Sequence, residues 1–529
     1  MKKIPRSTLL VILLLSLAGA ITIAFSTRWG PWAYSDSTAY IVSARTFLRE
    51  GRLGYYVPSG GFERLTHHPP LYPLILSAIG LPGVGLLAAA RWLNVILFGV
   101  TLFATGVFTY RLLRSSWLAI GLSAVMLTIP PLVDMFSGAM SEPLFIFTSV
   151  VGTFLTLLFL ETRQRRYLFL AAGAAGMAFL TRYIGIFAIA AGLAILLIFS
   201  RSPWKARVKD LVLYGLVSLV PNAAWWLYVY LSTTSYAARQ VVSRADLGSA
   251  LIELRLLLME VFWSWLPFIQ RFTYSYNLAL KVWLTLGLIS LLPLGLVIWK
   301  WRQDRQRFSE YRPEINFLLS WCIFSLAYLG FLTYAYLFTT PAPDISQRML
   351  LPGQIGLLLA LLSAAWVVLR ALRIPAWGSL VVAALVLVPM FANLPASLKL
   401  VREYNQHGGG YTSITWQQSS TLEILNQLPV EMPLISNQAA AVLLWIDRAP
   451  YDFCQLPCNQ PAGERYGDNP ADETQRIFRE QGAALVLIYP FCASRADPWN
   501  LERMTQVEAL TRDLTVYHYS CDGAIYFYP

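Results

Sequence analysis

Apolar runs long enough to cross a bilayer recur along this chain, separated by short clusters of arginine and lysine. A run of about 20 apolar residues crosses the hydrocarbon core as a helix, because a helix satisfies its own backbone groups where no water can. About eleven such runs fall near 7–26, 87–111, 116–133, 141–162, 167–181, 184–200, 211–231, 279–299, 316–338, 350–369 and 377–394. Met1-Lys2-Lys3 followed by Leu9 to Phe25 has the outline of a signal peptide. The run is too long for a typical signal core and lacks a clear small-residue cleavage site, so a retained first helix is expected. The segment 232–277 carries amphipathic pieces expected to lie on the membrane surface.

The charge pattern orients these helices. Only 13% of the 529 residues are charged and 56% are hydrophobic, well away from a soluble domain. The net charge of +12 therefore reads as cytoplasmic loops rather than as a nucleic-acid surface, and no nucleic acid is expected as a partner. Arg111 and Arg114, Arg163 to Arg166, Arg201 to Lys209, Lys300 to Arg305, and Arg370 and Arg373 follow alternate runs. With the N-terminus inside, all of them are cytoplasmic. The loop 27–86, the turns at 134–142 and 182, the segment 339–349 and everything after 395 then share the outer side of the cell membrane. The 18 Trp and 27 Tyr suit the interfacial belts of such a protein.

Residues 396–529 differ in kind. Beyond the polar connector at Gly408-Gly409-Gly410, the patterning predicts strands at Pro433–Asn437, Ala441–Ile446, Ala484–Tyr489 and Leu514–Tyr519, and a helix at Glu473–Gln481. The expected fold class is an α-helical polytopic membrane protein over 1–395 with a small extracytoplasmic α/β domain behind it. Cys454, Cys458, Cys492 and Cys521 lie in that domain, while Cys322 lies in a span. On an oxidising side, four cysteines favour one or two disulfides, and their spacing is not that of a zinc finger.

Chemistry-bearing residues gather on the outer side. Asp36 follows the first span by about ten residues, within Tyr34-Ser35-Asp36-Ser37-Thr38-Ala39-Tyr40. A carboxylate there suits a helix cap or a general base. Glu63 is a second acid of the same loop, and Glu142 opens the fourth span, where a helix N-terminus favours negative charge. Asp134 is a weaker candidate of the same type. His67 and His68 precede Pro69-Pro70, which stiffens the chain where it re-enters the membrane. Imidazoles held there can bond a phosphate or bind a divalent metal ion, and adjacent side chains point apart, so at most one of the two is expected to do so. Arg182 and Arg348 lie on the outer side, against the charge rule. Arginines at an interface can snorkel, but a phosphate leaving group also needs a fixed cation.

In that order these segments resemble the GT-C glycosyltransferases of the protein O-mannosyltransferase and aminoarabinose transferase type. The resemblance rests on the outer Asp36, His68-Pro69-Pro70-Leu71-Tyr72-Pro73, Ser141-Glu142-Pro143-Leu144, Thr181-Arg182-Tyr183 and Arg348-Met349-Leu350-Leu351-Pro352, and covers roughly residues 1–395. It implies a polyprenyl-phosphate-linked sugar donor, transfer on the outer face to a lipid, glycan or protein acceptor, and inversion at the anomeric carbon. It places the catalytic aspartate on Asp36, as general base, and the phosphate contacts around His68 and Arg348. Many members carry Asp-Glu at the first site, whereas here Ser37 follows Asp36, leaving Glu63 or Glu142 as the second acid and metal dependence open. Two other classes compete. A transporter or flippase should show charges buried in mid-span or helices broken in matching halves. An assembly or sensor protein should depend on residues 400–529 and not on Asp36.

Overall fold

The computed structural model describes residues 3–233, 240–241, 247–264, 312–340, 342–371, 378–453, 471–489 and 511–529, with a few positions between. Helices α1 (Arg6–Ser26), α2 (Ser35–Glu50), α3 (Leu71–Gly80), α4 (Leu86–Leu113), α5 (Ser116–Thr128), α6 (Pro130–Phe136), α7 (Glu142–Thr162), α8 (Arg165–Thr181), α9 (Ile186–Phe199), α10 (Trp204–Thr233) and α11 (Leu247–Ser264) come first. Then follow α12 (Arg312–Phe338), α13 (Gln347–Ala371) and α14 (Gly378–His407). Six helices among the described residues are long and apolar enough to cross a membrane, and α5 with α6 makes a seventh span if that bent pair is one.

Most expected spans have a helix in place. The span near 279–299 lies outside the described residues. The third differs from expectation: instead of one span over 116–133, α5 stops at Thr128 and α6 leaves at 69°. Pro130 and Pro131 explain the break, since proline lacks the amide that would continue α5 yet suits the first turn of a new helix. The helix α7 runs through the middle of the bundle, with most of its length buried against α4, α8 and α9. At the far end of the chain, α14 passes unbroken through residue 395, where a domain boundary was expected, and ends at His407.

The segment 27–86 is more structured than a loop. It holds α2, the short hairpin β1 (Gly54–Tyr56) and β2 (Phe62–Arg64), and α3. Its start is stitched to two distant turns. Trp32 exchanges backbone hydrogen bonds with Ser137 and Ala139, and Tyr411 donates its amide to the Ala33 carbonyl. Glycine is required at both crossings. A Cβ on Gly138 would sit 2.4 Å from the Trp32 ring, and one on Gly410, at φ +52°, would sit 2.2 Å from the Ala33 carbonyl oxygen.

Strands β3 (Gln240–Val241) and β4 (Thr339–Thr340) pair on their own. Beyond α14 come the short helices α15 (Ile414–Gln417) and α16 (Ser420–Leu425), strand β5 (Leu434–Ser436), α17 (Ala439–Ile446), β6 (Tyr451–Asp452), α18 (Ala471–Glu480), β7 (Ala484–Ile488), β8 (Thr515–Tyr519) and β9 (Gly523–Phe527). The sheet runs β6-β5-β7-β9-β8, parallel through the first three strands and antiparallel around β9. Strands expected near 433–437, 484–489 and 514–519 are present, as is the helix near 473–481. The strand expected at Ala441–Ile446 is instead α17. A short continuous apolar run fits a buried helix as well as a buried strand. This one is buried on opposite sides, with Ala440, Ala441, Leu443 and Leu444 in the main core and Val442 in the core under the sheet. Cys322 is a free thiol and Cys521 is disulfide-bonded, while Cys454, Cys458 and Cys492 lie outside the described residues.

Candidate active site

The residues of the site come from the ends of helices, where backbone turns free side chains to converge. Asp36 lies in the first turn of α2 and Glu142 opens α7. Arg182 caps the C-terminus of α8 in extended conformation, and Arg348 stands in the first turn of α13. These four form one ion-pair network. Arg348 places Nη1 3.1 Å from Asp36 Oδ2 and Nε 3.3 Å from Glu142 Oε1. Arg182 Nη1 lies 2.7 Å from the same Glu142 oxygen. Glu142 is almost closed to solvent, at 3% side-chain exposure, whereas Arg348 is 32% exposed and can be reached from outside. Two guanidiniums against two carboxylates leave the cluster neutral, as a buried cluster must be to avoid a heavy desolvation cost.

A second chain of contacts joins this network to His68. Arg182 donates from Nη1 to Ser141 Oγ at 3.2 Å, and Ser141 Oγ lies 3.0 Å from the Tyr40 hydroxyl. That hydroxyl in turn meets His68 Nδ1 at 3.1 Å. The Tyr40 ring packs against His68 and edge-on against Tyr72. Tyr328 closes the floor, its hydroxyl donating to the Met349 carbonyl beside Arg348.

Burial pushes the His68 imidazole down to about 4, so it is neutral at physiological pH. Burial alone would raise the Asp36 carboxyl, but the surrounding charges and the Arg348 hydrogen bond outweigh it and hold the group below its ordinary value. With His68 neutral, the charges that keep Asp36 ionised are the guanidiniums of Arg348 and Arg182.

Of the residues expected from the sequence, Asp36, His68, Glu142, Arg182 and Arg348 are brought together. Glu63 is not. It sits in β2 opposite Tyr55, and the Tyr55 hydroxyl bonds its carboxylate, so the acid that joins Asp36 is Glu142. His67 is exposed, whereas His68 beside it is half-buried. Asp134 accepts from the Tyr404 hydroxyl at 2.6 Å and ties α6 to α14. Tyr40 and Ser141 belong to the site but carried no signal except position, one helical turn after Asp36 and one residue before Glu142. Among the described residues no three His, Cys, Asp or Glu side chains gather to hold a metal ion. Asp36 and Glu142 are already shared between guanidiniums, so the residues present do not fit a divalent metal.

Residues 67–226, which include His68, Glu142 and Arg182, match the family model of dolichyl-phosphate-mannose-protein mannosyltransferases. No curated protein sequence matches the chain. Among solved structures the chain is similar to ArnT from Cupriavidus metallidurans bound to undecaprenyl phosphate, with TM-score 0.55, 13% identity and 97% of each chain covered. The apo form of that protein gives TM-score 0.54 at 15% identity, again with 97% of each chain covered. Archaeal oligosaccharyltransferase AglB from Archaeoglobus fulgidus, in complex with an inhibitory peptide and a dolichol-phosphate, gives TM-score 0.51 at 13% identity. That match covers 98% of this chain and 74% of AglB. The likeness in fold thus runs past residue 395, where the sequence resemblance stops, into the C-terminal domain. The chain is a multi-pass membrane protein with the GT-C glycosyltransferase fold.

Proposed function

We propose that this protein transfers a hexosyl or pentosyl group from a polyprenyl-phosphate-linked donor to a hydroxyl of a lipid, glycan or protein acceptor, on the outer face of the membrane and with inversion. The observation that carries the reading is the Asp36–Arg348–Glu142–Arg182 network. It sets an ionised carboxylate beside a partly exposed guanidinium that a phosphate can reach. A transporter reading would want its charges in mid-span, and these sit at helix ends.

The chemistry follows from the charges. The acceptor oxygen attacks the anomeric carbon as the bond from that carbon to the phosphate oxygen breaks. The proton of the acceptor hydroxyl passes to the Asp36 carboxylate, and polyprenyl phosphate departs as an anion. A phosphate leaves readily and needs little acid, while a hydroxyl is a poor nucleophile and needs a base. Arg348 can pair bidentately with the phosphate, and a donor that does so competes with Asp36 for that guanidinium. Binding of the donor then loosens the contact that restrains the base. Glu142 keeps Arg182 and Arg348 in place through the exchange.

Purified protein supplied with a panel of polyprenyl-phosphate sugars and acceptors tests the reading. Sugar transfer by the wild type, lost in Asp36→Asn, is the expected result. Absence of transfer from every donor together with absence of polyprenyl phosphate binding would overturn it.

A further inference from the structure

Resting on that reading of the site, we infer that Tyr40 is a positioning residue that fixes the tautomer of His68, so that His68 meets the donor phosphate as an Nε2–H hydrogen-bond donor. The argument is a count of protons along one chain of contacts. Arginine has only donors, so the contact between Arg182 Nη1 and Ser141 Oγ has one direction: the serine oxygen accepts. The serine proton then has two places to go. The Tyr40 oxygen is 3.0 Å away, and Glu142 Oε2 is 3.5 Å away, at the limit of a hydrogen bond. The shorter contact takes the proton, and the Tyr40 oxygen accepts it. Tyr40 has one proton of its own, and its remaining partner is His68 Nδ1 at 3.1 Å. Tyr40 donates there, which makes Nδ1 the acceptor nitrogen. A neutral imidazole that accepts at Nδ1 carries its proton on Nε2.

The consequence for chemistry is specific. His68 stands near Asp36, yet in this tautomer it cannot serve as the base, because its free nitrogen already holds a proton. It offers a donor to an anionic oxygen, and the order turns on the serine proton, which the 3.0 Å contact to Tyr40 takes in preference to the 3.5 Å contact to Glu142. The opposite order would have Ser141 donate to Glu142, Tyr40 donate to Ser141, and His68 donate to Tyr40 from Nδ1. That would leave a lone pair on Nε2, suited to accept a proton and unsuited to a phosphate.

Two measurements test this without needing the transfer reaction. Nitrogen-15 NMR of histidine-labelled protein, assigned through His68→Gln, reports which ring nitrogen of His68 carries the proton. The expected result is Nε2–H in the wild type and a mixture of tautomers in Tyr40→Phe. Binding of undecaprenyl phosphate in detergent supplies the second readout. Tyr40→Phe and His68→Ala should each weaken it about ten-fold or more, the loss of one charge-assisted hydrogen bond. The glutamine amide can place an N–H near the position of Nε2, so His68→Gln should retain most of the affinity. In the His68→Gln background Tyr40→Phe should then have no further effect, since no tautomer is left to set. A plain packing role for Tyr40 would persist in that background. An Nδ1–H tautomer in the wild type, or an unchanged tautomer and affinity in Tyr40→Phe, would overturn the inference. If wild-type protein with the Nε2–H tautomer binds no polyprenyl phosphate, the donor assignment falls instead.

Discussion

Asp36 and Arg348 are 312 residues apart in sequence and meet at 3.1 Å, one at the start of α2 and the other at the start of α13. The contact does two opposed things. It keeps the carboxylate ionised at physiological pH, and it lowers the basicity of the group proposed to take the proton.

The first prediction concerns Asp36 itself. Asp36→Asn keeps the shape and removes the base, and should cut transfer at least about a hundred-fold while the protein still folds and binds polyprenyl phosphate. Steady-state rates beside a binding measurement check it. Wild-type transfer in this variant would reduce Asp36 to a helix cap and move the base to Glu142.

The pH profile follows from the same contact. Because the folded-state pKa of Asp36 lies below its unfolded value, its stabilising effect is present above the unfolded value and is lost as pH falls through the folded one. Activity needs the ionised form as well, so Asp36 should contribute no acid limb between about pH 5 and 8. In Arg348→Gln the guanidinium is gone, and the acid limb of kcat/KM, which reports the free enzyme, should move upward. An acid limb that stays in place would mean that Arg348 does not set the charge state of Asp36.

Arg348→Lys should weaken donor binding although charge is retained. The guanidinium reaches two carboxylates at once through different nitrogens, and a phosphate can take both of its edges. An ammonium cannot span that geometry. A KM for the donor raised about ten-fold or more is the expected readout, and unchanged kinetics would assign Arg348 a snorkelling role.

A fourth prediction tests how the C-terminal domain holds α2. Asp447, at the end of α17 with φ +60°, pairs with Arg45 at 2.6 Å and with Arg49 at 2.5 Å, both on α2. Arg45 also donates to the Leu444 carbonyl, and Thr38 donates to the Ala440 carbonyl. Asp447→Ala should lower stability by about 1–2 kcal/mol, read by thermal unfolding in detergent, since the Arg49 side is exposed and screened. Transfer should fall with it, because α2 carries Asp36.

The orientation can be tested directly. Reporter fusions after Arg166 and after Asn405 should give signals from opposite sides of the membrane, with Asn405 outside. Signals from the same side would move the site to the cytoplasm.

Much of this was legible in the sequence because membrane helices are announced by length and apolarity alone. Asp36, Arg182 and Arg348 could be picked out because each is charged where the pattern gives no reason for charge. The pairing could not be read. Nothing local tells Arg348 that its partners are Asp36 and Glu142, since those contacts depend on how distant helices pack. Glu63 was as good a candidate as Glu142 by position. What separates them is the register of a three-residue hairpin, which sets Glu63 opposite Tyr55. The apolar run 441–446 misled for a related reason. It is buried between two cores, and complete burial erases the periodicity that distinguishes helix from strand.

The stitching of Trp32 and Ala33 to the turns at Gly138 and Gly410 bears on how the protein is made. Translation delivers Asp36 early, Glu142 and Arg182 within forty residues of each other, and Arg348 far later. Glu142 therefore gains a counter-ion almost as soon as α8 follows α7 into the bilayer. Asp36 has to wait for α13, and the segment before it cannot complete its backbone pairing until Tyr411 has left the ribosome. A nascent chain halted before Gln347 holds His68 and the buried Glu142 but lacks the guanidinium that ion-pairs Asp36 directly. The four-residue network is thus complete only late in synthesis, and the backbone pairing of the segment before Asp36 later still.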